Sequence, residues 1–265
     1  MWDMIVMANH ELRGTDPFNT WRERIVTDIQ PFNGFHSGYP ITIRFDHVKN
    51  SYNNEIYLFD KAEISKKGWI IIHELGHNMQ RTCWTPAGSE EITVDIFTLH
   101  AFHLVFKEKI SFTENRFLKQ KLDEKVLDVL KTRTYSFDDW CSNSSIGIFL
   151  YAQLINSFGW NAFKILFREY ESLSDKEKIF KSNLDKWDQF ICRFSNIVGL
   201  DVSPLFYFWC IPFSRKPSTN LSDLTPWLPD DEITRLYPER VKYVKLIYNN
   251  LLLGNESYYS TCCPK

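Results

Sequence analysis

No apolar run in the chain approaches the roughly 18 residues a bilayer-spanning helix needs, so a transmembrane segment is excluded. No block of like charge occurs either. With 31 basic against 33 acidic residues there is no net field to draw the chain to nucleic acid or to an acidic membrane surface. Zinc fingers and basic arms are missing too, and nucleic acid drops out as a partner. The cysteines (Cys83, Cys141, Cys192, Cys210, Cys262, Cys263) are scattered and form no CxxC pair. That argues against a structural zinc knuckle and fits reduced thiols better than a disulfide framework. The first ten residues lack a basic n-region and a small-residue cleavage site, so the chain as given carries no secretory signal. Its first helix starts almost at Met1, which leaves open that sequence upstream is missing. The C-terminal Cys-Cys-Pro-Lys has the outline of a lipidation box, but its last lysine does not fit one. Internal repeats and low-complexity linkers are also absent.

What the chain does have is apolar and aromatic content. Hydrophobic residues make up 44% and aromatics 16%, enough to bury a sizeable core in one large domain or two closely packed lobes. Hydropathy periodicity predicts a helix over Trp2 to Leu12 and a helical or extended piece over Trp21 to Ile29. The glycines and proline of 32–40 then make a turn. Ile41 to Asp46 alternates as a strand, placed where an edge could pair with an extended substrate, and Ile56 to Asp60 reads as a second strand. Beyond an amphipathic stretch at 111–131 the pattern is helical: Ile146 to Phe158 closed by Gly159, Trp160 to Ser172, Lys176 to Val198 closed by Gly199, a short helix after Pro204, and Glu239 to Leu253. Phe149, Phe158, Phe163, Phe167, Phe190 and Phe194 read as the core of that lobe.

The chemistry is concentrated in His73-Glu74-Leu75-Gly76-His77, the HExxH pattern. Imidazoles four residues apart on a helix stand only about 40° apart in rotation, so both reach one metal ion, with Glu74 beside them. Ile71, Leu75 and Met79 repeat on the opposite face and would anchor it in a core. A catalytic zinc takes three protein ligands and keeps one position for water. A third histidine in the HExxHxxGxxH manner is absent, because Gln80 follows three residues after His77. Carboxylates remain. Glu91 and Asp95 lie four apart on the next helix, and Ile92, Ile96, Leu99 and Phe106 keep helical spacing around them. Glu91 is thus a first carboxylate for the metal, and Asp95 a second that would accept the other ring N–H of a ligand histidine. HExxH followed by ExxxD is the gluzincin arrangement.

Competing readings surround this set. Glu90 competes with Glu91 but points about 100° away and has no acidic partner four residues on. His100 and His103 face away from Glu91 and read as core or solvent histidines. His36 is a turn histidine, or one that touches substrate. Tyr151 is a candidate donor to a tetrahedral oxyanion, with a core tyrosine as its alternative.

With these stretches in view, the chain resembles the enhancin-like zinc metallopeptidases, peptidase family M-sixty, and within it the branch of factors associated with melastatin-type TRP channels. The matching pieces are Arg24 to Gln30, His36 to Ile41, His73 to Arg81, Trp84 to Phe97, and Tyr151 to Leu154 through Phe158-Gly159-Trp160. The resemblance implies an α+β, gluzincin-like fold: a small mixed sheet and active-site helix in residues 1–110, then a mainly helical lobe in 111–265, together one peptidase domain. It implies Zn2+ on His73, His77 and Glu91, with Glu74 as base. The family commonly has asparagine near the position of Asp95. Enzymatic members act on mucin-type glycoproteins, which implies a protein or glycoprotein substrate. The channel-associated branch implies a membrane cation channel as partner and a place in the cytoplasm or at the periphery of the plasma membrane. Upstream sequence, if missing, would leave an extracellular location open. Channel-associated members carry additional N-terminal domains, and a role that depends on those does not carry over.

Overall fold

The structure, a computed structural model, describes residues 1–19, 23–30, 34–49, 57–132, 135–214 and 221–252. They form an α+β chain of two compact units, Met1–Arg81 with Thr93–Lys109, and Thr82–Ile92 with Ile110–Lys265.

The first unit opens with α1 (Trp2–Arg13), closed by Gly14 at φ 78°, a left-handed cap that costs glycine little. A three-stranded sheet follows, β1 (Ile25–Asp28), β2 (Phe35–His36) and β3 (Ile41–Arg44), in the order β1-β3-β2. β3 alternates as its sequence predicts, with Ile41 and Ile43 fully buried and Thr42 and Arg44 partly exposed. It runs parallel to β1 (Ile25 opposite Ile41) and antiparallel to β2 (Phe35 opposite Ile43). This corrects the expectation of a substrate-pairing edge at 41–46. β3 is the middle strand, its ladder is taken on both sides, and Phe45–His47 turns away as a 3-10 helix. The strand expected at 56–60 is also corrected. Ile56 lies outside the described residues, and Tyr57–Phe59 is a 3-10 turn. Asp60 ends that turn by accepting from the N–H groups of Ala62 and Glu63, which commits the chain to α2 (Lys61–Lys67) before a strand can extend. Of the piece expected over 21–29, residues 21 and 22 lie outside the described residues and Ile25–Asp28 forms β1.

Gly68 separates α2 from α3 (Trp69–His77), and a Cβ there would lie 2.5 Å from the Ile64 carbonyl oxygen. The face of α3 predicted to anchor does so: Ile71 and Leu75 are at most 1% exposed, in a core that includes Ile43 and Phe102, and Met79 just past the helix is buried as well. Next comes α4 (Glu90–Phe106). Every residue from Ile92 to Phe102 is buried, so that stretch of α4 is enclosed on all sides and its apolar positions do not resolve into one stripe.

The second unit is helical: α5 (Arg116–Asp123), α6 (Phe137–Ser142), α7 (Ser144–Ser172), α8 (Asn183–Val198), α9 (Ser203–Phe208), α10 (Glu232–Leu236) and α11 (Pro238–Leu252). α7 breaks at Gly159, φ 73° and ψ 175°, where the sequence places the end of one helix and the start of the next. α8 ends at left-handed Gly199 but begins at Asn183, later than the Lys176 expected. Its start is fixed by the Ser182 hydroxyl, which accepts from the Asp185 N–H at 3.1 Å. Of the six core phenylalanines, five are buried and Phe158 is half-buried against Trp227. Among the described residues no helix is long and apolar enough to cross a membrane.

Candidate metal centre

The centre starts with a close approach. A Cβ on Gly76 would lie 2.8 Å from Val94 Cγ2, 3.1 Å from the Val94 carbonyl oxygen and 3.3 Å from Phe97 Cβ. Only glycine lets α4 lie this near the second turn of α3, and the carboxylates of α4 are thereby brought to the imidazoles of α3.

His73 and His77 stand on that side of α3, half-buried, with ring centroids 4.7 Å apart and planes at 89°. Each ring is held through Nδ1. His73 Nδ1 is 2.8 Å from Asp95 Oδ1, and His77 Nδ1 is 2.8 Å from Gln80 Oε1. With Nδ1 donating to an oxygen acceptor, the lone pair of each ring falls on Nε2. Asp95 is buried at 3%, as an orienting carboxylate should be, whereas Glu91 is exposed at the start of α4. His73, His77 and Glu91 each offer a ligand atom within 4.8 Å of the others. Two imidazoles and one carboxylate are a donor set that suits a divalent transition metal. Glu74, one residue past His73, is half-buried.

The segment that delivers Glu91 is held within its own unit. Trp84 packs on Phe167 and Tyr170, Lys186 Nζ donates to the Thr85 carbonyl at 3.0 Å, and the Ala87 N–H donates to Asn183 Oδ1 at 2.9 Å. A Cβ on Gly147 would lie 2.4 Å from Ile92 Cδ1, so α7 packs directly beneath the first turn of α4. Past the histidines, Asn78 grips the β2–β3 turn. Its Oδ1 accepts from the Gly38 N–H at 2.9 Å, and its Nδ2 donates to the Gly38 carbonyl at 3.0 Å and to Glu23 Oε2 at 2.8 Å. Burial raises the Glu23 carboxyl above the usual range, against hydrogen bonds from Asn78 and Tyr39.

A family model described as peptidase M60, enhancin and enhancin-like, matches residues 1–210. The chain belongs to that family. A TRPM8 channel-associated factor homolog from Danio rerio is 31% identical over 233 residues, covering 86% of this chain and 24% of the relative. The chain thus spans about a quarter of the length of the curated relatives it matches. Among solved structures, a conserved protein of unknown function from Bacillus anthracis aligns with a TM-score of 0.68 at 21% identity, covering 88% of this chain and 46% of that one. IMPa from Pseudomonas aeruginosa, solved in complex with an O-glycopeptide, aligns at 0.52 and 16% identity over 84% of this chain and 29% of that one. At such identities the likeness is one of fold.

Within this M60 chain the competing residues fall elsewhere. Glu90 turns its Oε2 back to accept from the Gly88 N–H at 2.8 Å, leaving Glu91 as the carboxylate beside the histidines. His100 is fully buried, and His103 Nδ1 pairs with the Glu108 carbonyl at 2.8 Å. His36 is an exposed residue of β2. Tyr151 is fully buried, edge-on to Phe190, and its hydroxyl is enclosed. Burial drives that phenol's pKa up, and a hydroxyl closed off in the helical core does not reach a substrate. This corrects its assignment as oxyanion donor in favour of the core alternative. Gln80 is the residue the sequence reading passed over. It figures there only as the histidine that was absent, although the turn that closes α3, with the Gln80 N–H donating to the His77 carbonyl at 3.1 Å, brings its amide back to the His77 ring.

Proposed function

We propose that the chain is a zinc metallopeptidase of gluzincin type, in which His73, His77 and Glu91 hold the ion and Asp95 orients His73. The observation that carries this reading is the convergence of those three ligand groups with the His73–Asp95 hydrogen bond behind them. A bound zinc would supply Lewis acidity, polarising a scissile carbonyl and making water easier to deprotonate. The rest falls to the chain. Glu74, a carboxylate on the ligand helix, accepts the proton of the attacking water and returns it to the leaving amine. Asp95 and Gln80 keep both imidazoles in one tautomer and orientation through the cycle. The substrate class is protein or glycoprotein; the fold is shared with IMPa, which was solved with an O-glycopeptide, and that favours a glycoprotein panel as the first assay.

Replacing Glu74 by Gln keeps the shape and removes the base. The variant should bind one zinc per chain as the parent does and cleave the panel about 100- to 10,000-fold more slowly. A variant that cleaves at the parental rate contradicts the mechanism.

A second reading has its own observation, the TRPM8 channel-associated factor names of the curated relatives. On that reading the chain retains the zinc site as structure, acts on a membrane cation channel without cleaving it, and works in the cytoplasm or at the plasma membrane. It predicts stoichiometric zinc, no cleavage of the panel by the parent, and channel association unchanged in the Glu74→Gln variant.

A further inference from the structure

His73 is backed by a carboxylate, but His77 is backed by an amide that is itself held. Gln80 Oε1 meets His77 Nδ1 at 2.8 Å while its Nε2 donates to Thr93 Oγ1 at 2.6 Å, and Thr93 is 4% exposed. The two contacts hold the amide at both ends. In this arrangement Nε2 faces the threonine and the carbonyl oxygen faces the imidazole, which pairs with the tautomer that carries its hydrogen on Nδ1 and its lone pair on Nε2. Thr93 lies on α4 between Glu91 and Asp95, so one stretch of that helix supplies a ligand candidate and the acceptors behind both histidines.

We infer that the Gln80–Thr93 pair is a positioning relay that holds His77 ready to bind the metal, resting on the zinc reading above. Its neutrality has a consequence. A carboxylate behind each histidine would add a second buried negative charge and make both imidazoles stronger donors to the ion, which lowers its Lewis acidity. An amide orients the ring without that charge. The site thus pairs one charged and one neutral backing group, and Gln80 sets the balance between metal affinity and catalytic strength.

The test uses the full chain and zinc itself, with affinity measured by competition against a chromophoric chelator and folding checked by circular dichroism. Gln80→Leu should weaken zinc binding about 10- to 100-fold. Thr93→Val, which leaves the amide in place but unheld, should weaken it by a smaller factor, and Thr93→Ser should restore it. Gln80→Glu should bind zinc at least as tightly as the parent, with a visible spectrum of the cobalt-substituted protein displaced from the parent's. His77→Ala marks the loss of a ligand. If the parent and Gln80→Leu bind zinc equally while His77→Ala does not, the relay is wrong and the metal site stands. Parental affinity in Thr93→Val overturns the relay as well, even if Gln80→Leu fails to fold. If the parent binds no zinc, the metal site and the relay fall together.

Discussion

At the scale of single residues, each histidine of the candidate centre has an oxygen partner behind its Nδ1. His73 alone is a flexible imidazole; paired through Nδ1 with a 3%-exposed Asp95 it has one orientation and one tautomer. Asp95→Ala should therefore weaken zinc binding about 10- to 100-fold, measured by chelator competition. Asp95→Asn, which keeps an acceptor but not the charge, should lose less. Equal losses in both variants would mean that charge, not orientation, is what Asp95 contributes. At this scale much was legible. His73, Glu74 and His77 are a contiguous pattern, and four-residue spacing selects Glu91 with Asp95 over Glu90. Gln80 and Thr93 were not legible, because neither residue type is diagnostic and their pairing spans thirteen positions that only the fold brings together. Tyr151 shows the opposite error. A tyrosine in a matched stretch looks functional until its burial is known.

At the scale of elements, α3 and α4 form the unit that matters, and Gly76 determines their spacing. Alanine there would gain about 1 kcal/mol of helix propensity but lose about 1–3 kcal/mol to overpacking against Val94 and Phe97. The Val94 contact includes backbone, which yields less readily than a side-chain tip, so overpacking should win. Gly76→Ala is expected to be less stable than the parent by about 1 kcal/mol in urea denaturation, and to bind zinc more weakly. A more stable variant with parental zinc affinity would show that the helices are not in close contact at this point. The helices themselves were readable from periodicity and glycine stops. The sheet was less so. β3 was recognisable as a strand by alternation, but alternation reports which face is buried and not whether a neighbour lies on each side. Its central place follows from β1, where the piece from Trp21 to Ile29 gave no periodic signal that separates helix from strand. α4 misled in a different way. A helix buried all round carries no stripe, so choosing one face from Ile92, Ile96 and Leu99 understated how enclosed it is.

At the scale of the whole chain, membership of the M60 family and an α+β fold go together with a length about a quarter of the curated relatives. One global property follows from a site at the edge of the centre. Burial holds the Glu23 carboxyl above its ordinary range, so the folded state binds that proton more tightly than the unfolded chain. A raised value of this sign favours folding in acid, and the contribution is lost as pH rises through the folded value. The stability of the parent relative to Glu23→Gln should accordingly fall between about pH 4 and pH 7, read as the difference in urea midpoints. A difference that is flat or rises over that window contradicts the assignment.

The central claim is that two imidazoles from α3 and one carboxylate from α4 share one zinc. It is tested most directly by a zinc-edge anomalous difference map from crystals of the metal-loaded chain. The account predicts one strong peak about 2.0–2.2 Å from His73 Nε2, His77 Nε2 and a Glu91 carboxylate oxygen. A peak bound elsewhere, or one that leaves Glu91 turned to solvent, would contradict it.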